Sequence, residues 1–187
     1  MTSSTEKLIA NLDRLYRSYG QRHYGENCTQ YEHMAQCGWW ADQKGFEEEL
    51  AIAAFLHDVG HLIAEEQDLE DRDELGYARH DELAENWLRQ QGLPESICVP
   101  IGMHVQAKRY LVTRNKSYLA DLSLASKATL AQQGGPFSEA QCLAFESSPH
   151  FDQAIRLREL DELGKADDFD LPPLDYWLQR IKHYLSQ

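Results

Sequence analysis

The chain has 187 residues, enough for one domain with a sizeable core, and its 42% hydrophobic and 26% charged residues are the balance of a soluble globular protein. Its 31 acidic residues against 18 basic ones give a formal charge of −13, which repels nucleic acid and anionic membranes and excludes both as general partners. An anionic small substrate stays compatible where metal ions and a few Lys or Arg side chains reverse the sign locally. The first helix is expected over Thr5–Tyr19, where Leu8, Ile9, Leu12, Leu15 and Tyr16 recur at helical spacing. A loop punctuated by Gly20 and Gly25 follows. Thr29 is the expected cap of a second helix to about Lys44, carrying His33, Trp39 and Trp40 and stopped by Gly45. A central helix is expected from Phe46 to about Asp58, with Gly60 allowing it to end.

The acidic stretch Glu65–Gly76 reads as a solvated loop. Tyr77–Gln91 reads as a helix stopped by Gly92, and Leu93-Pro94 opens another through His104, with a kink expected at Pro100. Lys108–Val112 either continues or breaks it. Ser117–Gln133 reads as one helix ended by Gly134-Gly135-Pro136, and Ser138 with Gln141 three residues on has the capping-box pattern. Ser148-Pro149 starts a helix that carries Arg158 and Asp161 and stops at Gly164; Asp168–Pro173 is a turn, and Leu174–Leu185 the last helix. No strand, internal repeat or low-complexity segment stands out. The expected architecture is all-α, one domain over residues 1–187 with eight or nine helices.

Cys28, Cys37, Cys98 and Cys142 show no C-x-x-C spacing. Their even number leaves a disulfide pair open, and four reduced thiols is the commoner explanation. The N-terminal stretch lacks the long apolar run of a signal peptide, and nothing approaches a membrane span, so a cytoplasmic location is expected.

The chemistry points to metal. His57-Asp58 offers one imidazole nitrogen and one or two carboxylate oxygens on a single backbone step, which suits a hard-to-borderline divalent ion, and the carboxylate can bridge to a second. Alone, such a pair equally fits a helix cap or a surface ion pair. His33, His80, His104 and Asp161 add ligand types on other predicted helices, although each histidine by itself also fits a satisfied core imidazole.

Taken in order, His33, His57-Asp58, His80, His104 and Asp161 resemble the two-metal form of the HD-domain superfamily of helical metalloproteins. Further pieces resemble its branch of mixed-valent diiron oxygenases acting on 1-hydroxyphosphonates: Tyr24-Gly25-Glu26, Gln30-Tyr31-Glu32-His33, Leu56–His61, His104–Val112, Gln133–Pro136 and Ile155–Asp161. That resemblance implies an HD-type helical bundle with a buried dinuclear site. His33, His57, Asp58 and Asp161 would hold one iron, Asp58, His80 and His104 the other, as an Fe2+/Fe3+ pair bridged by Asp58. It implies dioxygen-dependent cleavage of the carbon–phosphorus bond of a small 1-hydroxyalkylphosphonate, to phosphate and a carboxylate. Tyr24, Glu26, His61, Lys108, Ser126, Thr129 and Arg158 would contact substrate, with His61 and Lys108 closest to the chemistry. For His61 the alternative is a helix C-cap, and for Lys108 a solvated helix end.

The Tyr24–Glu26 loop departs from the family pattern. Tyr24 abuts Gly25-Glu26, where the family has an apolar residue between the tyrosine and the Gly-Glu pair. The residues that would meet the substrate's amino end are therefore shifted. With Tyr31, Trp39 and Trp40 close in sequence, a trimethylammonium end is expected to be accepted at least as well as a primary amine; the alternative is that Trp39 and Trp40 are core residues of the second helix, leaving Tyr24 and Glu26 to set selectivity. The alternative activity for such a ligand set is metal-dependent hydrolysis of a nucleotide or phosphate monoester.

Overall fold

The computed structural model describes residues 4–167 and 170–187. The start of the turn expected at Asp168 lies outside them. The chain forms α1 (Ser4–Tyr19), α2 (Gln30–Gln43), α3 (Glu48–Leu56), α4 (Val59–Glu66), β1 (Arg72–Asp73), β2 (Gly76–Tyr77), α5 (His80–Gln90) and α6 (Glu95–Arg114). Then come α7 (Tyr118–Asp121), α8 (Leu124–Gln132), α9 (Glu139–Glu146), α10 (Phe151–Leu163) and α11 (Leu174–Tyr184). The bundle is all-α, as expected, with more and shorter helices.

α3 is the buried axis. Every residue from Leu50 to Leu56 is buried, and a helix apolar on all sides has to lie inside. α2, α6, α10 and α11 all pack on it. Phe55 is stacked between Tyr16 of α1 and Trp177 of α11, with ring centroids 4.9 and 4.7 Å away. The Tyr16 hydroxyl donates to the Phe55 carbonyl at 2.6 Å, so α1 is fixed to the last turn of α3 immediately before His57. Arg180 of α11 forks onto both Asp42 carboxylate oxygens of α2 at 2.6 and 2.8 Å, tying the final helix down. A smaller core of Ala107, Phe137, Cys142, Phe145 and Ala154 joins α6, α9 and α10. All four cysteines are buried and free.

Three expectations change. First, the central helix ends near Asp58 as expected, but Gly60 is not what ends it. The chain turns at Asp58, whose φ of −99° and ψ of 7° lie in the sparsely used bridge region, and resumes as α4. Gly60 is needed for close approach rather than termination: a Cβ there would overlap the His80 backbone carbonyl of α5. His61 is therefore inside α4 and is no C-cap.

Second, the acidic segment is not simply a solvated loop. Glu65 and Glu66 finish α4, and Arg72↔Tyr77 and Asp73↔Gly76 pair as a two-residue antiparallel ladder. This delays the next helix to His80. Third, Ser117–Gln133 is two helices, because the Ser123 side chain accepts from the Ser126 amide and caps a new start. Of the two outcomes left open after His104, α6 continues through Lys108 to Arg114, with Pro100 inside it. The capping boxes at Thr29–Glu32 and Ser138–Gln141 form as the sequence suggests.

Candidate metal centre and substrate cavity

The ligand-type residues arrive from four helices and one break between helices. α2 supplies His33, the α3–α4 break His57 and Asp58, the first residue of α5 His80, mid-α6 His104 and late α10 Asp161. All are buried.

The four histidines share one arrangement. Each Nδ1 donates to a backbone carbonyl: His33 to Gly164 (2.8 Å), His57 to Ala54 (2.8 Å), His80 to Tyr77 (2.9 Å) and His104 to Ile101 (2.7 Å). In the neutral ring that places the proton on Nδ1 and leaves Nε2 its lone pair to offer a metal, the usual state of a metal-bound imidazole. The Nε2 atoms then face each other in pairs. His33 and His57 are 3.2 Å apart, and His80 and His104 are 3.1 Å apart. Two lone pairs that close repel unless a cation lies against both. Two nitrogens about 2.1 Å from one ion and at right angles to each other would be roughly 3 Å apart.

Asp58 stands between the pairs. Its Oδ1 is 3.4 Å from His57 Nε2, 3.2 Å from His80 Nε2 and 3.6 Å from His104 Nε2, and its Oδ2 is 3.6 Å from His33 Nε2. Asp161 Oδ1 is 3.3 Å from His33 Nε2. Burial alone would push the Asp58 carboxyl up, but the surrounding imidazoles, His57 first, hold it well below the usual range. Asp161 is held low in the same way, by Arg158 and His33. A cluster of buried nitrogen and oxygen donors of this kind can hold metal, and the expected ligands converge.

Two neighbours are excluded from the ring of Nε2 atoms on geometry. Cys37 Sγ lies 3.9 Å from His33 Nδ1, the nitrogen already given to Gly164, so the thiol is behind the imidazole. His61 comes near Asp58 and His80, but its Nδ1 accepts the Tyr77 amide at 2.9 Å. Its proton is therefore on Nε2, the reverse of the other four. Burial and then His80 hold its pKa well below the ordinary value, so it is neutral. It stacks on His80, centroids 4.0 Å apart, and offers an N–H donor rather than a lone pair.

The cluster floors a polar cavity. All the residues expected to contact substrate line it, as do the expected metal ligands except His57, which sits behind in edge contact with His33 and His104. Lys108 Nζ donates to Thr129 Oγ1 at 2.9 Å. Burial, then Arg158, lowers the Lys108 pKa to about 7. Arg158 is already engaged: Nε donates to the Tyr118 hydroxyl at 2.9 Å, Nη1 meets Asp161, and Nη2 meets Glu162 and lies 3.4 Å from Ser126 Oγ. Tyr24 donates to Glu65 at 2.9 Å and stacks near His61.

Of the two placements open to Trp39 and Trp40, the structure shows packing. Trp39 and Trp40 pack edge to face against each other, and Trp40 packs against the main core, not the cavity. The Tyr31 hydroxyl turns to the Pro172 carbonyl. The tyrosine rings on the cavity are Tyr24 and Tyr77. The hairpin that sets Tyr77 there depends on Gly76, whose φ is +90° and where a Cβ would overlap the His61 ring.

Sequence reasoning missed Lys165, which also lines the cavity. A signal existed: it lies four residues past Asp161, as Lys108 lies four past His104. It gave no role to Gln30 and Gln133 either, both on the cavity wall with a buried amide oxygen that has no hydrogen-bond partner among the described residues.

No family model matches the chain. It is 38% identical to the [1-hydroxy-2-(trimethylamino)ethyl]phosphonate dioxygenase (glycine-betaine-forming) of Leisingera caerulea, over 84% of this chain and 78% of that one. It is 32% identical to the hydroxymethylphosphonate dioxygenase of Gimesia maris, over 95% and 88%. It is also 37% identical to an uncharacterized protein of Acanthamoeba polyphaga mimivirus, over 99% and 86%.

Proposed function

The chain belongs to the phosphonate dioxygenase family, and on that premise we propose that it uses dioxygen to cleave the carbon–phosphorus bond of a 1-hydroxyalkylphosphonate, releasing phosphate and a carboxylate. The observation that carries this is the pair of facing imidazole couples on either side of Asp58, at the floor of a cavity with three basic side chains, Lys108, Arg158 and Lys165. We propose two irons as the metals, a mixed-valent Fe2+/Fe3+ pair that His33, His57, Asp58 and Asp161 would hold on one side and Asp58, His80 and His104 on the other; nitrogen and oxygen donors without thiolate suit iron. When bound, iron supplies Lewis acidity toward the substrate's oxygens and the electrons exchanged with dioxygen.

The side chains supply binding and orientation. Lys108, held by Thr129, and Ser126 present donors to the phosphonate dianion. Arg158 adds positive potential, and its grip on Asp161 orients that carboxylate toward His33. Neutral His61 donates an N–H and accepts no proton, because its Nδ1 is tied to the Tyr77 amide. Tyr24 and Glu26 face the substituent on the substrate's second carbon. Among the described residues no helix is long and apolar enough to cross a membrane. The cytoplasmic location proposed here is supported by four free buried thiols.

The test is phosphorus NMR of iron-loaded protein with a panel of 1-hydroxyphosphonates, run under air and anaerobically. Phosphate released only with oxygen is the expected result. Phosphate released from a phosphate monoester without oxygen would replace the proposal by hydrolysis.

A further inference from the structure

The two named dioxygenase relatives differ in the group their substrates carry beyond the hydroxylated carbon: a trimethylated nitrogen in one, nothing in the other. The acidic side chain best placed to meet a cation at that end is Glu26, but it is already occupied. Glu26 Oε1 accepts the Ser123 hydroxyl at 2.6 Å and lies 3.3 Å from Lys165 Nζ. Lys165 follows the end of α10 and bridges to the start of α8, donating to Ser126 Oγ at 3.0 Å and to Ser123 Oγ at 3.4 Å. Its other anionic neighbours are Glu162 at 3.4 Å and Asp161 at 4.0 Å. Both of these also face Arg158. Both Lys165 and Glu26 line the cavity, and both side chains are largely buried, so their charges are weakly screened by solvent.

We propose that Lys165 is a specificity-determining residue: it holds and offsets the Glu26 carboxylate, so the cavity takes phosphonates with an uncharged second-carbon substituent as readily as those with a cationic one. A cationic substituent approaching Glu26 meets the ammonium of Lys165 at the same oxygen. Its attraction to the carboxylate is set against repulsion from the lysine, and charge ceases to discriminate. Specificity is a difference of affinities, and an internal counter-ion lowers that difference without touching the phosphonate end. The Tyr24 and Tyr77 rings remain as an apolar wall for either type.

This inference rests on the functional reading above, so its test uses binding rather than turnover. The probes are 1-hydroxy-2-(trimethylammonio)ethylphosphonate and its carbon isostere 1-hydroxy-3,3-dimethylbutylphosphonate, which differ only in the charge of one atom. Dissociation constants are measured by calorimetry on iron-loaded protein without oxygen. The native protein should bind the two within about threefold of each other. Lys165→Met, which keeps the stem and removes the charge, should shift the ratio toward the cation by about tenfold or more. Glu26→Gln should shift it toward the neutral compound, and the double variant should restore near parity, because the two residues act as one unit. A native protein that prefers the cation by more than about tenfold, or a Lys165→Met ratio equal to the native one, overturns the proposal. Binding of both compounds with no phosphate released under air would refute the oxygenase reading alone; binding of neither would refute both.

Discussion

Asp58 has its two oxygens within 3.6 Å of four imidazole nitrogens, drawn from helices on both sides of the cluster. If it bridges, its loss should be felt on both sides. Asp58→Ala is expected to abolish binding of both ions, read by elemental analysis after iron loading, whereas His104→Ala should leave the His33–His57 side able to hold one. Retention of two ions by Asp58→Ala would refute the bridge. Lys108 offers a second measurement at this scale. Burial and Arg158 put its pKa at about 7, so the amine is charged below that pH and neutral above it. A phosphonate dianion needs the charged form. Affinity for a hydroxyphosphonate should therefore fall as pH rises through 7, by up to about tenfold per unit. Lys108→Gln should bind more weakly below pH 7 and show a flatter profile. An equally steep profile in the variant would assign the titration to another group.

At the level of elements, the site depends on α4 and α5 crossing closely where the His80 carbonyl meets Gly60. Gly60→Ala puts a methyl group into that contact and forces the helices apart. The expected cost is about 1–3 kcal/mol in chemical denaturation, with weaker metal retention because His80 opens α5 at that point. Unchanged stability and metal content would show that the crossing has room to spare. The same glycine shows why this break was hard to read in the sequence. A glycine after an apolar helical run looks like a stop signal, whereas here it answers to a residue twenty positions later in the chain. Ser123 is the reverse case: no glycine or proline marks a break within Ser117–Gln133, and the helix restarts because one serine caps it. Signals local to one turn were legible, such as the capping boxes at Thr29 and Ser138 and the left-handed glycines 45 and 92 after α2 and α5. Contacts between distant turns were not.

Across the whole molecule the convergence of the proposed ligands was legible because metal chemistry restricts such donors to a few residue types, and the family resemblance picked out which of them to group. The cavity's second wall was less so. Tyr77 and Leu75 reach it through a two-residue ladder too short to leave a periodic pattern, and Lys165 reaches it from beyond a helix end. Trp39 and Trp40, prominent in sequence, belong to packing. The way α10 closes the cluster also orders events in time. Asp161 approaches His33 from the last turns of that helix, and the carbonyl that orients the His33 ring belongs to Gly164, immediately after it. A chain emerging from the ribosome exposes His33 first and must extend some 130 residues before that imidazole acquires either partner. The Asp58, His80 and His104 donors are all present well before then. Biosynthesis thus presents the two halves of the cluster to the cell's metal pool one after the other, and the half that includes His33 cannot be completed until α10 has left the ribosome.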